Sequence, residues 1–135
     1  MEAAITQIKL ADRSFDEEGF VSGARAAFER VVDSFASGDT DTLRSLLSDD
    51  VYENFAAAIR DRVSKDQTHE TTMVGFDVTE IIEAEMEGRN ALVTVKYVSD
   101  QVNVTRDAEG EIVEGDPAAV TRITDIWTFA RDVSS

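Results

Sequence analysis

The stretch Val74-Gly75-Phe76-Asp77-Val78-Thr79-Glu80-Ile81-Ile82-Glu83-Ala84-Glu85-Met86-Glu87 changes the period of the chain. Val74, Phe76, Val78, Ile82, Ala84 and Met86 share one parity, while Asp77, Thr79, Glu83, Glu85 and Glu87 occupy the other. That alternation reads as a half-buried strand with one wet face, and Gly88 sits where it must turn. Beyond it, Ala91, Val93, Val95 and Tyr97 keep one parity, but Val98, Val102 and Val104 take the opposite one. A face switch inside a long strand requires a bulge or a sharp bend. Asp107-Ala108-Glu109-Gly110 is a short hairpin loop with a glycine free to take the left-handed position. Residues 120–131 then form a third strand, with Ile123, Trp127 and Phe129 on one side.

Upstream of that stretch the period is helical. Ser14 and Glu17 have capping-box spacing, and Phe20, Ala24, Phe28, Val31 and Phe35 follow at steps of three and four, on one face of a helix that Gly38 ends. A short helix carries Leu43, Leu46 and Leu47, and Ser48 caps a third bearing Val51, Tyr52, Phe55 and Ile59. The polar stretch 64–70 reads as the loop leaving the helical layer. Helices first and an antiparallel meander second give an α+β fold, with the N-terminal helices packed on a strongly curved antiparallel sheet. In residues 1–14, Ile5, Ile8 and Leu10 are only weakly periodic, so this segment is expected to be a flexible lead-in to a domain spanning 15–135.

A length of 135 residues suits one domain, and 42% hydrophobic against 30% charged residues supplies a core. The absence of cysteine removes disulfides, thiolate catalysis and sulfur-based zinc sites. The 28 acidic residues against 13 basic ones give a net charge of −15, a field that repels nucleic acid and anionic lipid and attracts basic segments. No apolar run is long enough to span a bilayer, so membrane contact would come only through a region outside this chain.

No residue pattern announces catalysis, a cofactor or a metal. His69, the one histidine, lies in the polar connection and reads as a solvated loop residue. Asp125 shares strand parity with Ile123, Trp127 and Phe129, so it points toward the apolar layer. There it is either a general base with a raised pKa or, as buried charges usually are, a paired structural aspartate. Arg25, flanking the apolar stripe of its helix, is the partner expected for it. The acidic run Asp107, Glu109, Glu111, Glu114 and Asp116 lacks the spacing of a calcium loop. Phe28, Phe35, Tyr52, Phe55, Trp127 and Phe129 are candidates for a cavity or partner surface, set against ordinary core packing.

Phe20-Val21-Ser22-Gly23-Ala24-Arg25-Ala26-Ala27-Phe28-Glu29, Gly38-Asp39 with Leu43, Leu46-Leu47-Ser48, Val51-Tyr52-Glu53 and Asp125-Ile126-Trp127-Thr128-Phe129-Ala130-Arg131 together resemble the Tim-forty-four-like domain. The likeness runs from Phe15 onward and looks closest to the bacterial putative adaptor proteins of that family. It implies a cone-shaped fold like that of nuclear transport factor two and of cystatin, and no catalytic residues. It further implies a non-enzymatic adaptor of protein translocation or assembly at an inner membrane: the bacterial one, or the matrix face if mitochondrial. The expected partners are basic or extended polypeptide segments and chaperone or translocase components. The alternative is a small-molecule binder or a lyase or isomerase working in an apolar cavity of the same fold. The family pattern continues past Ser135 into another short strand, so 120–131 is expected to offer an open sheet edge for strand addition or a homodimer.

Overall fold

The computed structural model describes residues 1–12 and 14–132, and the expected continuation past Ser135 lies outside them. Four helices come first: α1 (Glu2–Ala11), α2 (Glu17–Ser37), α3 (Thr40–Leu46) and α4 (Asp49–Ser64). Four strands follow: β1 (Thr68–Glu87), β2 (Asn90–Arg106), β3 (Ile112–Gly115) and β4 (Thr121–Asp132). This is the expected α+β order, with one strand, β3, that the sequence reading did not contain. β1 and β2 are joined by a two-residue loop whose first position is Gly88 at φ 61°, the arrangement that lets a hairpin follow the twist of its strands. β2 is central, with β1 on one edge. The other edge takes β3 against Val104–Arg106 and β4 further back along the strand. Thr94 bonds Thr128 while Asp100 bonds Arg122, so β4 runs antiparallel to β2.

The chain divides into two compact units, and β1, β2 and α2 each contribute to both. The first comprises Met1–Arg25, Phe76–Ser99 and the chain from Ile123 onward. Its core gathers Ile5, Ile8 and Phe15 with Ala84, Ala91 and Val93, and Phe20, Ile81 and Met86 pack against it. Segment 2–11 is therefore a helix with a buried stripe where a flexible lead-in was expected. Two isoleucines three residues apart suffice to give it one apolar side. The cap of α2 also differs from expectation. The Asp16 carboxylate accepts the Gly19 N–H at 3.0 Å, which makes Asp16 the N-cap, while the Ser14 N–H donates to Asp12.

The second unit comprises Ala26–Gly75 and Asp100–Arg122, with Phe28, Val31, Leu43, Ala56, Ile59 and Val104 buried. Here the helix ends are legible in the sequence. Gly38, at φ 76°, ends α2 with Asp39 N–H on the Ser34 carbonyl and its own N–H on Phe35, a paired C-terminal closure. Asp39 then caps α3 through Thr42, and Ser48, as expected, caps α4 through Val51. Arg62, from the last turn of α4, donates to the Phe35 and Ala36 carbonyls and lays its guanidinium over the Phe35 ring. α3 packs on α4.

Strand parity departs from the reading in both long strands. In β1, Val74 and Ile82 are exposed, while Met73 and Ile81, of the other parity, are half-buried. The inward face therefore shifts along the strand. In β2, the inward parity of Ala91 to Tyr97 does not switch at Val98 but continues through Ser99 and Gln101, both buried, and only Val104 restores an apolar inward residue on the other parity. Hydropathy alone places the switch early because two polar residues occupy inward positions.

Candidate functional site

In the first unit, β2 and β4 bring aromatic residues together. Tyr97 is fully buried and meets Trp127 edge-on at 5.4 Å, Trp127 lies 6.4 Å from Phe129, and Phe129 meets Phe20 of α2 at 5.8 Å. The Tyr97 hydroxyl donates to the Ala24 carbonyl at 2.8 Å, fastening β2 to α2. Burial pushes the phenol well above its ordinary pKa, and the charge of Asp125 adds to the effect. Asp125 shares the half-buried face of β4 with Trp127 and Phe129, and burial raises its own pKa. Arg25 is the partner expected for Asp125. It stands exposed on the outer shoulder of α2, one residue after buried Ala24, with its guanidinium 4.3 Å above the Phe76 ring. Burial accounts for the shift at Asp125, whose charge in turn adds to the rise at Tyr97. Arg131 of β4 pairs with Asp12 at 2.8 Å. Asp12 is held below its ordinary pKa first by the Ser14 hydroxyl and further by Arg131.

The remaining aromatic candidates lie in the second unit. Phe35 packs on Phe55 at 5.2 Å and faces the His69 ring at 6.2 Å, Tyr52 lies under Arg44, and Phe28 is a buried core residue. The candidate surface thus divides between two places.

His69 departs most from its reading as a solvated loop residue. It is the second residue of β1, half-buried, and both ring nitrogens are engaged. Thr71 donates its hydroxyl proton to the Asn103 carbonyl oxygen at 2.6 Å, so it can only accept from His69 Nε2, at 3.1 Å. The same nitrogen faces the Asn103 carbonyl oxygen, which fixes the proton on Nε2 and leaves Nδ1 to Thr105 at 3.1 Å. Asn103 completes the chain by donating to the buried Gln101. Threonine, asparagine and glutamine at alternate strand positions are the signal that sequence reasoning passed over. This network floors a cleft of about 490 Å³ bounded by Phe35, Arg62, Glu114 and Asp116.

A second groove, of about 580 Å³, belongs to the first unit and is walled by the N-terminal half of α2 and residues 76–81 of β1. Among the described residues, no three histidine or acidic side chains are grouped to hold a metal ion.

Along residues 1–135 the chain matches the family model described as the Tim44-like domain, the family that the sequence itself resembles. It is 24% identical over 133 residues to the mitochondrial import inner membrane translocase subunit TIM44 of Homo sapiens, covering 98% of this chain and 29% of that protein. It is 23% identical over 131 residues to the probable mitochondrial import inner membrane translocase subunit tin-44 of Caenorhabditis elegans, covering 96% and 31%. To TIM44-1 of Arabidopsis thaliana it is 23% identical over 127 residues, covering 91% and 26%. The chain spans less than a third of the length of each of these relatives. All three are mitochondrial by name, so they lend no support to the bacterial assignment. With a family model matched from the first residue to the last, the chain belongs to the Tim44-like domain family.

Proposed function

We propose that this domain is a non-enzymatic adaptor of a membrane-associated protein translocation or assembly system, and that it holds polypeptide partners carrying basic or extended segments. The observation that carries the reading is the family match along the whole chain, with relatives named as inner-membrane import translocase subunits. The net charge of −15 supports the choice of basic partners, since opposite charge speeds encounter and selects register. Chaperone or translocase components are the partners this assigns, and an inner membrane is the place. No helix among the described residues is long and apolar enough to cross a membrane.

The lyase or isomerase reading is the weaker one because of Tyr97. An acid–base site at Asp125 would need a proton donor beside it, and the nearby phenol already gives its proton to the Ala24 carbonyl. To test the adaptor reading, a basic amphipathic peptide and its charge-reversed counterpart are titrated against the domain at rising ionic strength. The basic peptide is expected to bind with an association rate that falls with salt, and the acidic one to stay unbound. Equal binding of the two would defeat the reading.

A further inference from the structure

β1 closes one side of the sheet: it pairs with β2, and no described strand lies beyond it. Successive residues of a strand point to opposite faces, so a cavity lying over a sheet face is lined by every second residue. The groove of the first unit is lined by Phe76, Asp77, Val78, Thr79, Glu80 and Ile81 in unbroken succession. A groove that follows the edge of the strand meets both parities in this way. Its opposite wall, Glu17, Glu18, Val21, Ser22 and Arg25, repeats at helical steps and is one stripe of α2. A helix thus stands beside an open strand edge whose alternate N–H and C=O groups turn away from β2.

Two further observations say what the groove takes. The Thr79 hydroxyl, in a residue that lines the groove, is buried and has no hydrogen-bond partner among the described residues, which native structures rarely leave without a reason. The walls carry the carboxylates of Glu18, Asp77 and Glu80 and that of Glu17, which pairs with Lys9 at 3.0 Å, against the Met1 terminus and the guanidinium of Arg25, which rests on Phe76.

We propose that an extended, lysine- or arginine-bearing segment of a partner protein adds as a strand to the outer edge of β1 at 76–81, in the groove beside α2. This deepens the adaptor reading and rests on it. Backbone pairing along the edge gives affinity without demanding one sequence, and the carboxylates select for positive charge.

The probe is a fluorescein-labelled decapeptide of alternating lysine and valine, titrated by anisotropy against the full 135-residue chain. A second peptide of the same sequence, N-methylated at alternate residues, keeps the charge but cannot pair as a strand. The double variant Glu18→Lys with Glu80→Lys reverses the groove. The double variant Glu109→Lys with Glu114→Lys makes the same change of net charge in the second unit. All four glutamates are exposed, so circular dichroism is expected to show folded protein throughout. The groove variant and the N-methylated peptide should each weaken binding by about tenfold or more, and the second-unit variant by much less. Undiminished binding of the N-methylated peptide overturns the edge pairing, and equal weakening by both double variants overturns its location; either result leaves the adaptor reading standing. Failure of the wild-type domain to bind the unmodified peptide at low salt removes both. Self-association of the free domain that the groove variant abolishes would assign the edge to a second copy of this chain and overturn the proposal as well.

Discussion

The first unit fills its interior with rings and aliphatic side chains, and the second strings its inward strand positions with hydrogen bonds. Tyr97, Trp127, Phe129 and Phe20 meet one another in the first, while His69, Thr71, Asn103, Thr105 and Gln101 bond one another in the second. Both halves use the same two long strands, so the difference lies in the side chains that one parity presents. Burial of rings is proportional to area and indifferent to direction, whereas a buried polar network holds only when every member is satisfied. The first unit should therefore yield to loss of volume and the second to loss of one partner.

The largest effect is expected from Tyr97→Ala. The side chain is fully buried, and its removal leaves a cavity beside Trp127 as well as freeing the Ala24 carbonyl of its extra bond. About 3–5 kcal/mol should be lost, read from the urea midpoint at unchanged slope. A loss below about 1 kcal/mol would show that Tyr97 is not central to that core. Asn103→Leu tests the second unit at similar side-chain volume. It removes the acceptor of the Thr71 hydroxyl proton, one of the two acceptors facing His69 Nε2–H and one donor to Gln101, and should cost about 1–3 kcal/mol. A neutral or stabilising outcome would mean that the network adds nothing beyond its shape.

The smallest effects are the most diagnostic, because they have opposite signs. Folded Asp125 holds its proton more tightly than the unfolded chain does, so its contribution to stability is complete below 3.8 and fades as pH rises through the raised value. Asp39 is held below 3.8, first by the Thr42 hydroxyl, so its contribution is present above 3.8 and fades as pH falls through the lowered value. Asp125→Asn should accordingly gain on the wild type as pH rises above about 4, whereas Asp39→Asn should lose its deficit as pH falls below about 4. Urea midpoints across a pH series check both. Curves that run parallel to the wild type would show that neither carboxyl senses its surroundings.

Local punctuation made much of the fold legible from the residues alone. Gly38 ends α2, Ser48 caps α4, Gly88 turns the hairpin, and Ile123, Asp125, Trp127 and Phe129 share the half-buried face of β4, because caps, left-handed glycines and strict alternation act over a few residues. What sequence reading lacked were the decisions made between distant segments. Segment 2–11 became a helix because Ile5 and Ile8 found Ala84, Ala91 and Val93 to cover them. His69 left the solvent because Asn103 and Thr105, more than thirty residues away, stand opposite it on β2.

The candidate site was legible to the same degree. That Asp125 faces the apolar layer follows from parity; that its charge acts on Tyr97 follows from how β2 and β4 pair. The sequence by itself determined the α+β order, the charge and the family, since period, composition and short-range caps are properties of neighbouring residues. Only the tertiary structure decided which polar residues are buried together, and that β1 keeps an open edge walled by α2, because burial and pairing depend on segments that no local pattern relates.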